Sequence, residues 1–550
     1  MSLREEIAAI IKGDVADDTE TLTRYSRDTS IFERKPTLVV YPKNAKDVSA
    51  VVKYVAEAKA RGEYISITGR AAGTDMSGGP LSDSIVMSFT KYMNTIQEIG
   101  PDYVVIEPGM YYRDFEKAVF ARTGMLLPSY PASREICALG GIISNNSGGE
   151  LTLRYGKTER YVEEIDVVLS DGTQTTFGPV TKQQLAARKR RKGLEGQIYK
   201  KVHDLIKKHG DTIEAARPAV SKNSAGYALW SVYDADSETF NLAKLIVGSQ
   251  GTLCLITRAK LKLVKRKENR AMLVVFLSDL KILPDVVHRV LTYQPESFES
   301  YDDHTFRLAV RFLPQLLKQL GFTKALHLGV SFFPEVGMVL SGGVPKLVLM
   351  AEFAEDSIEE ARQKAERAQH ALSDFGLQTK IALGEIAASK YWTIRRESFA
   401  LLRKNLRGYV AAPFIDDFVV DPNTYPSFLP ELNVLLQKYN LLYTIAGHVG
   451  NGNFHIIPLM NLADPVARQT ILELSPKVYE LVTKYGGSTT GEHNDGIIRT
   501  PYLEMMFGPA MTKLFAETKN IFDPANIFNP GKKVGGTQAD IERHMLKTSV

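Results

Sequence analysis

Only 2 cysteines, Cys137 and Cys254, occur among the 550 residues of this chain. An iron–sulfur cluster takes about four thiolates, so none is expected here. Both cysteines stand in apolar or glycine-rich runs and read as packed, reduced thiols. Long apolar runs are missing too. No stretch reaches about 18 uninterrupted apolar residues, and the start, MSLREEIAAIIKGDVADDTE, lacks the apolar core of a signal peptide. An excess of one charge is absent: the net charge is +5 and no aromatic-basic motif accompanies it, so nucleic acid is not an expected partner. What remains is an ordinary globular composition, 44% hydrophobic and 24% charged, long enough for about three domains. A soluble cytoplasmic protein is the expectation.

Against this background two glycine-rich stretches stand out: GHVGNGNFH (Gly447 to His455) and GGSTTGEHNDG (Gly486 to Gly496). They carry His448, His455, Glu492 and His493. Two imidazoles and a carboxylate form a usual ligand set for a borderline metal, and three protein ligands leave a position open for substrate. The further histidine beside the carboxylate can serve as a general base near neutral pH. Separate surface or capping histidines are the bland alternative. Glycine around each residue, which lets backbone come close to a ligand, favours a site.

Along the chain, TLVVYPKNAKDVSAVVKYVAEAKARG predicts a strand, a turn and a helix with Val48, Val51, Val52 and Val55 on one face, closed by Gly62. RDFEKAVFARTG predicts a helix closed by Gly124. Strands and helices continue to about residue 265, an α+β pattern. The basic run within residues 187–208 reads as a solvated face. From about 266 to 480 strands such as AMLVVFL and KLVLMAEF alternate with helices such as SIEEARQKAERAQHALSDFG, predicting an antiparallel sheet with helices on one side. The predicted division is 1–36, an N-terminal helical segment; 37–265; 266–480; and 481–550, a C-terminal segment carrying the Glu-His pair.

Two glycine loops lie in the second of these units. ITGRAAGTDMSGGP is not a G-x-G-x-x-G fingerprint, but after a strand its exposed N–H groups form an anion nest suited to a pyrophosphate. A tight structural turn is the competing reading. GGIISNNSGG offers amide and hydroxyl donors with almost no side-chain bulk, as a protein needs to lie flat against a large planar cofactor.

The ordered set GRAAGTDMSGG, PASREICALGGIISNNSGG, RYGKTERYVEEIDVVLSDG, VGSQGTLCLIT, GHVGNGNFH, GEHNDGIIR and FNPGKK resembles the FAD-linked dehydrogenases of D-2-hydroxy acids, within the vanillyl-alcohol-oxidase-type (PCMH) flavoproteins. The match runs from about residue 20 to 533. The resemblance implies an α+β fold: a PCMH-type two-subdomain FAD-binding domain, an antiparallel-sheet α+β cap over the substrate, and a C-terminal segment returning to the FAD domain. It implies FAD wrapped at its pyrophosphate by Arg70, Ala71, Ala72, Gly73, Thr74, Met76 and Ser77. Ser133, Gly140, Gly141, Ser144, Asn145, Gly148 and Gly149 would line the ribityl and flavin region, with Tyr155 and Gly156 nearby. Gly251 would admit the adenine side, and Asn529 would reach the ring from the C-terminal return. His448, His455 and Glu492 would hold a divalent metal, Zn or Mn, with His493 as base. In YWTIRRES, Arg395 or Arg396 matches the position that grips the substrate carboxylate, a task suited to a planar bidentate guanidinium.

The chain departs from the family pattern at Asn451, Asn494, Arg499 and Ile415. These departures touch substrate identity and leave the ligand set intact. No His or Cys in the glycine loops stands where a covalent flavin link is usual, so dissociable FAD is expected. The implied activity is oxidation of a small D-2-hydroxy acid, D-lactate first, with glycolate and D-2-hydroxyglutarate as alternatives. An oxygen-using oxidase and a non-catalytic FAD-binding subunit are the rival readings. With no internal cluster, an external acceptor is expected: a quinone, a cytochrome or an electron-transfer flavoprotein. A segment from Thr305 to Val344 mixes basic and apolar residues and reads as a core-packed helix, or alternatively as a peripheral membrane contact. A homodimer is compatible with the sequence.

Overall fold

The computed structural model describes residues 1–303, 305, 345–405 and 408–548; at position 385 and over 396–405 it describes backbone alone. The segment considered for membrane contact, 305–344, falls almost wholly outside the described residues, as does the side chain of Arg396.

Two main sheets, with small three- and two-stranded ones beside them, build the N-terminal half. In the first, the strands Leu38–Tyr41, Ile85–Ser88 and Ile67–Arg70 run parallel. Parallel strands need a crossover, and the helix Ala45–Ala60 supplies the one from Leu38–Tyr41 to Ile67–Arg70, the two strands that flank Ile85–Ser88. Asn44 caps it by accepting the N–H groups of Lys46 and Asp47, and Val48, Val51, Val52 and Val55 are buried. Its end lies at Arg61 with Gly62 at φ +88°, where a left-handed residue stops a helix. Gly124, at φ +65°, ends the helix Tyr112–Thr123 in the same way. Residues 1–36 hold the helices Leu3–Ile10 and Thr19–Tyr25, and between them the strand Asp14–Ala16 joins this sheet antiparallel at its edge.

The second sheet is antiparallel, in the order Ile96–Ile99, Tyr103–Ile106, Leu255–Lys262, Val162–Val168, Gln174–Phe177. Its central strand follows the VGSQGT segment, so Gly248 to Gly251 lie at the seam between the two sheets. The stretch read as a second glycine loop differs from that expectation. Its first six residues lie in a helix, Leu139–Asn145, ended by Asn146 at φ +50°. Gly140 is required for close packing: a Cβ there would sit 2.7 Å from the Pro108 carbonyl oxygen.

The C-terminal half is built on a long antiparallel sheet, ordered Gln378–Leu383, Asn269–Leu277, Leu347–Glu355, Ser297–Asp302, Leu442–His448, Asn453–Met460, Val410–Ala411. Side chains alternate between its faces. Leu273, Val275, Leu349, Ala351, Phe298 and Ile456 point to one side and share a core with the helices Leu283–Leu291, Ile358–His370, Tyr425–Gln437 and Pro465–Lys484. The opposite face carries Glu299, Glu352, His448 and His455. Over it lies the helix Gly384–Asn405, through Trp392 to Glu352 and Arg395 to Glu299.

The C-terminal segment serves both halves. Its helix Leu503–Phe522 packs on Leu194–Ala215. Phe528 bridges to Ile67, and Ile541 and Met545 enter the core of the large sheet. No helix among the described residues is long and apolar enough to cross a membrane.

Candidate active site

Strand register places the first two ligand candidates. Ala446 pairs with His455 and His448 with Asn453, so the two histidines are diagonal neighbours on one face, with ring centroids 5.2 Å apart. The pairing of Ser300 with Gly447, continued one position, sets Glu299 opposite His448. Its carboxylate lies 2.6 Å from His448 Nδ1.

Glu492 and His493 come from the loop between the helices Pro465–Lys484 and Gly496–Arg499, and Asp417 fixes that loop. Its carboxylate accepts the N–H groups of Glu492 (3.0 Å) and His493 (2.7 Å), the Thr490 hydroxyl (2.5 Å) and the Asn453 amide (3.1 Å). Asp417 and Asn494 both hold left-handed backbone, at φ +69° and +70°, an uncommon conformation that tends to cluster at functional sites. Arg499, buried, donates to the carbonyls of Asn494 and Asp416 and ties the loop to the sheet.

The result is convergence on one oxygen. Nε2 of His448, His455 and His493 lie 3.3, 3.6 and 3.9 Å from Oε1 of Glu492. The ligating atoms of His448, His455 and Glu492 all fall within 4.8 Å of one another, close enough to share one cation. Of the remaining ring nitrogens, Nδ1 of His448 faces Glu299 and Nδ1 of His455 is hydrogen-bonded to Asp416 (3.0 Å), while Nδ1 of His493 lies 2.8 Å from the other Asp416 oxygen, an ion-pair approach without hydrogen-bond alignment. A carboxylate behind an imidazole fixes its tautomer and turns the Nε2 lone pair forward, as in many metal centres. The donor set therefore fits a borderline divalent ion.

The electrostatics match. Burial opposes ionisation of Glu492, but Lys222 and His448 overcome it and hold the carboxyl well below its usual range. Burial opposes a charge on His493, yet Asp417 and Asp416 raise it to about 10. His448 is raised, with Glu299 outweighing burial. Asp416 and Asp417 are held down, chiefly by His493 against the cost of burial.

A cavity of about 330 Å³ runs between the two N-terminal sheets and ends at Glu492 and His493. Arg70, Ala71, Ala72, Gly73, Thr74 and Met76 line one part, and Ser133, Gly140, Gly141, Ser144, Asn145 and Gly251 another. The Arg70 guanidinium turns away from it, donating to the carbonyls of Tyr25 and Arg27. A Cβ on Gly73 would fall 2.3 Å from that guanidinium, so the loop is a cradle without room for a side chain. The cavity has the form and the exposed backbone that a dinucleotide needs.

Other nominated residues lie behind this wall. Ser77 is buried and bonded to Asp75, and Gly149 packs against the Tyr130 carbonyl. Gly148 faces Glu492. The Tyr155 hydroxyl donates to Glu296, in an ion cluster with Arg266. Gly156 turns at φ +77° beside Arg160. Asn529 accepts from Thr68 and donates to the Gly79 and Gln250 carbonyls, stitching the seam rather than facing the cavity. Arg395 lies over the sheet face that carries His448 and His455, its guanidinium 3.4 Å from Glu299 and its Nε buried without a partner. Both cysteines are free, buried and on the cavity wall, with burial pushing the Cys137 thiol up to about 12.

Comparison with known proteins agrees with this geometry. Residues 36–178 match the FAD binding domain model, and residues 266–533 match that of the FAD linked oxidases, C-terminal domain. The chain is 28% identical to D-2-hydroxyglutarate dehydrogenase of Pseudomonas putida over 532 residues, 95% of this chain and 50% of the relative. It is 26% identical to D-lactate dehydrogenase of Archaeoglobus fulgidus (90% of this chain, 91% of the relative) and 25% identical to glycolate oxidase subunit GlcD of Bacillus subtilis (92% and 91%). The chain thus spans about half the length of the D-2-hydroxyglutarate dehydrogenase it matches. Among solved structures, 4-ethylphenol oxidase from Gulosibacter chungangensis superposes with a TM-score of 0.66 at 15% identity (98% and 97% of the two chains). p-Cresol methylhydroxylase gives 0.67 at 16% (97% and 96%). The fold is that of the PCMH-type flavoproteins. Within it, the chain carries the FAD binding domain and the C-terminal domain of the FAD linked oxidases, and D-2-hydroxy-acid dehydrogenases are among its relatives.

Proposed function

We propose that this protein oxidises a small D-2-hydroxy acid to the 2-oxo acid, with D-lactate the first candidate. The observation that carries the reading is the meeting of three histidine Nε2 atoms on Glu492 Oε1 at the end of a cavity cradled by glycine. His448, His455 and Glu492 would hold a divalent ion, Zn²⁺ or Mn²⁺, and the cradle from Arg70 to Met76 with Gly140, Gly141 and Gly251 would hold FAD. When bound, the flavin supplies the hydride acceptor and the ion a Lewis acid that acidifies the 2-hydroxyl.

The chain's own residues then have separable tasks. His493, with Nδ1 2.8 Å from the Asp416 carboxylate, would offer Nε2 to the hydroxyl proton. Arg395 is suited to orient the substrate carboxylate, because its Nε is unpaired and Glu299 already holds it over the site. Glu299 also holds His448, so one carboxylate aligns a ligand and the carboxylate-binding arginine together. Electrons would leave for an external acceptor, a soluble protein before a quinone.

The first test is cofactor content. The purified protein should be yellow, carry about one FAD per chain, and release it on acid precipitation. A colourless protein that takes up no FAD would sink the assignment.

A further inference from the structure

Lys222 enters the site above only through its charge beside Glu492. It sits in the loop Ser221–Tyr227, which is pinned to both ligand-bearing segments: the Ser221 hydroxyl donates to the Asn451 carbonyl, and the Ser224 N–H to the Thr490 carbonyl. The Lys222 side chain has no exposure. Its ammonium donates to Oε2 of Glu492 (3.2 Å) and Oδ1 of Asn453 (3.2 Å). The Asn453 amide nitrogen is committed to Asp417 and the Phe418 carbonyl, so its oxygen must face Lys222. The lysine is therefore locked in place.

The two oxygens of Glu492 consequently have different surroundings. Oε1 faces the three histidine nitrogens. Oε2 faces Lys222, and Gly148 stands so near that an added Cβ would come within 3.1 Å of it. A free glutamate can ligate through one oxygen or both, and a two-oxygen mode would consume the position a substrate hydroxyl needs. We propose that Lys222 is a positioning residue that holds Glu492 Oε2 away from the metal, confining the carboxylate to one-oxygen ligation and keeping a coordination position open for substrate. This rests on the metal reading above.

The role has a sign that a structural prop would not share. Removing the ammonium frees Oε2 and removes a positive charge beside the cation, so metal should bind more tightly while the open position closes. Loss of an ordinary supporting partner weakens metal binding, by about 10–100-fold. The experiment uses FAD-loaded protein with Co²⁺ as the probe, read by its visible bands beyond the flavin absorption. Lys222→Met should bind Co²⁺ about tenfold or more tightly than the unaltered chain, within the span over which outer partners of ligands act. Its bands should weaken as the coordination number rises, and substrate should no longer perturb them. Lys222→Arg, which keeps the charge, should resemble the unaltered chain. If Lys222→Met fails to retain FAD, Lys222→Gln carries the same readouts. Weaker Co²⁺ binding or unchanged bands in the neutral variants would overturn the role of Lys222 and leave the metal reading standing. An unaltered chain with no Co²⁺ spectrum dependent on His448 would overturn both.

Discussion

Replacing His493 by alanine is expected to lower the rate of flavin reduction by on the order of 10²–10⁴, the usual span for a positioned general base. FAD content and metal content should be unchanged, because the backbone N–H of residue 493, not its ring, is what Asp417 holds. The pH profile separates a base from a structural residue. A base must be neutral to act, and with no cation present Asp417 and Asp416 raise His493 to about 10 against burial. Positive charge held on the Glu492 side disfavours the same proton and brings that value down. Flavin reduction should therefore rise with pH through the histidine's pKa, somewhere below about 10, and the rise should vanish in His493→Ala. Asp416→Asn should keep the ring but disturb its tautomer and flatten the same rise. A loss below tenfold with an unchanged profile would assign the proton to another group.

Removing the metal is expected to have an effect at least as large. Chelation should abolish turnover while most FAD stays bound, since the cavity wall and the ligand set share only Glu492. Added Zn²⁺ or Mn²⁺ should restore it. A Lewis acid on a reacting oxygen supplies several kcal/mol, so Glu492→Ala or His448→Ala should cost on the order of 10³ or more in rate. Glu492→Ala also leaves Lys222 buried opposite no carboxylate, so its folded state should be less stable than that of His448→Ala. Full activity in a demonstrably metal-free sample would reduce these residues to plain hydrogen-bonding groups.

Much of this was legible in the chain because it is written locally. The apolar spacing from Val48 to Val55 and the closing Gly62 define a helix without reference to anything distant, and Gly124 does the same for the next. The four site residues were legible because histidine and glutamate amid glycine are conspicuous. Their supports were not. Glu299 acts across 149 positions to reach His448, and Lys222 across 270 to reach Glu492. Strand pairing and loop docking create such contacts, and no local pattern encodes them. Asp416 and Asp417 did carry a signal: two adjacent acids inside the apolar run PFIDDFVV are costly to bury unless they hold something. The glycines of GGIISNNSGG have a second task that the sequence does not show: Gly140, on the cavity wall, and Gly149, behind it, also let backbone pack against Pro108 and Tyr130, which depends on distant neighbours.

The central claim is that this site takes a hydride from a D-2-hydroxy acid. Anaerobic mixing of FAD- and metal-loaded protein with D- and L-lactate, glycolate and D-2-hydroxyglutarate tests it most directly, with flavin absorbance as the readout. At least one D-acid or glycolate should bleach the flavin in a single turnover and yield the matching 2-oxo acid. The L-enantiomer should not, and His493→Ala should slow the bleaching. A fully loaded protein whose flavin stays oxidised with every acid in the panel would contradict the account.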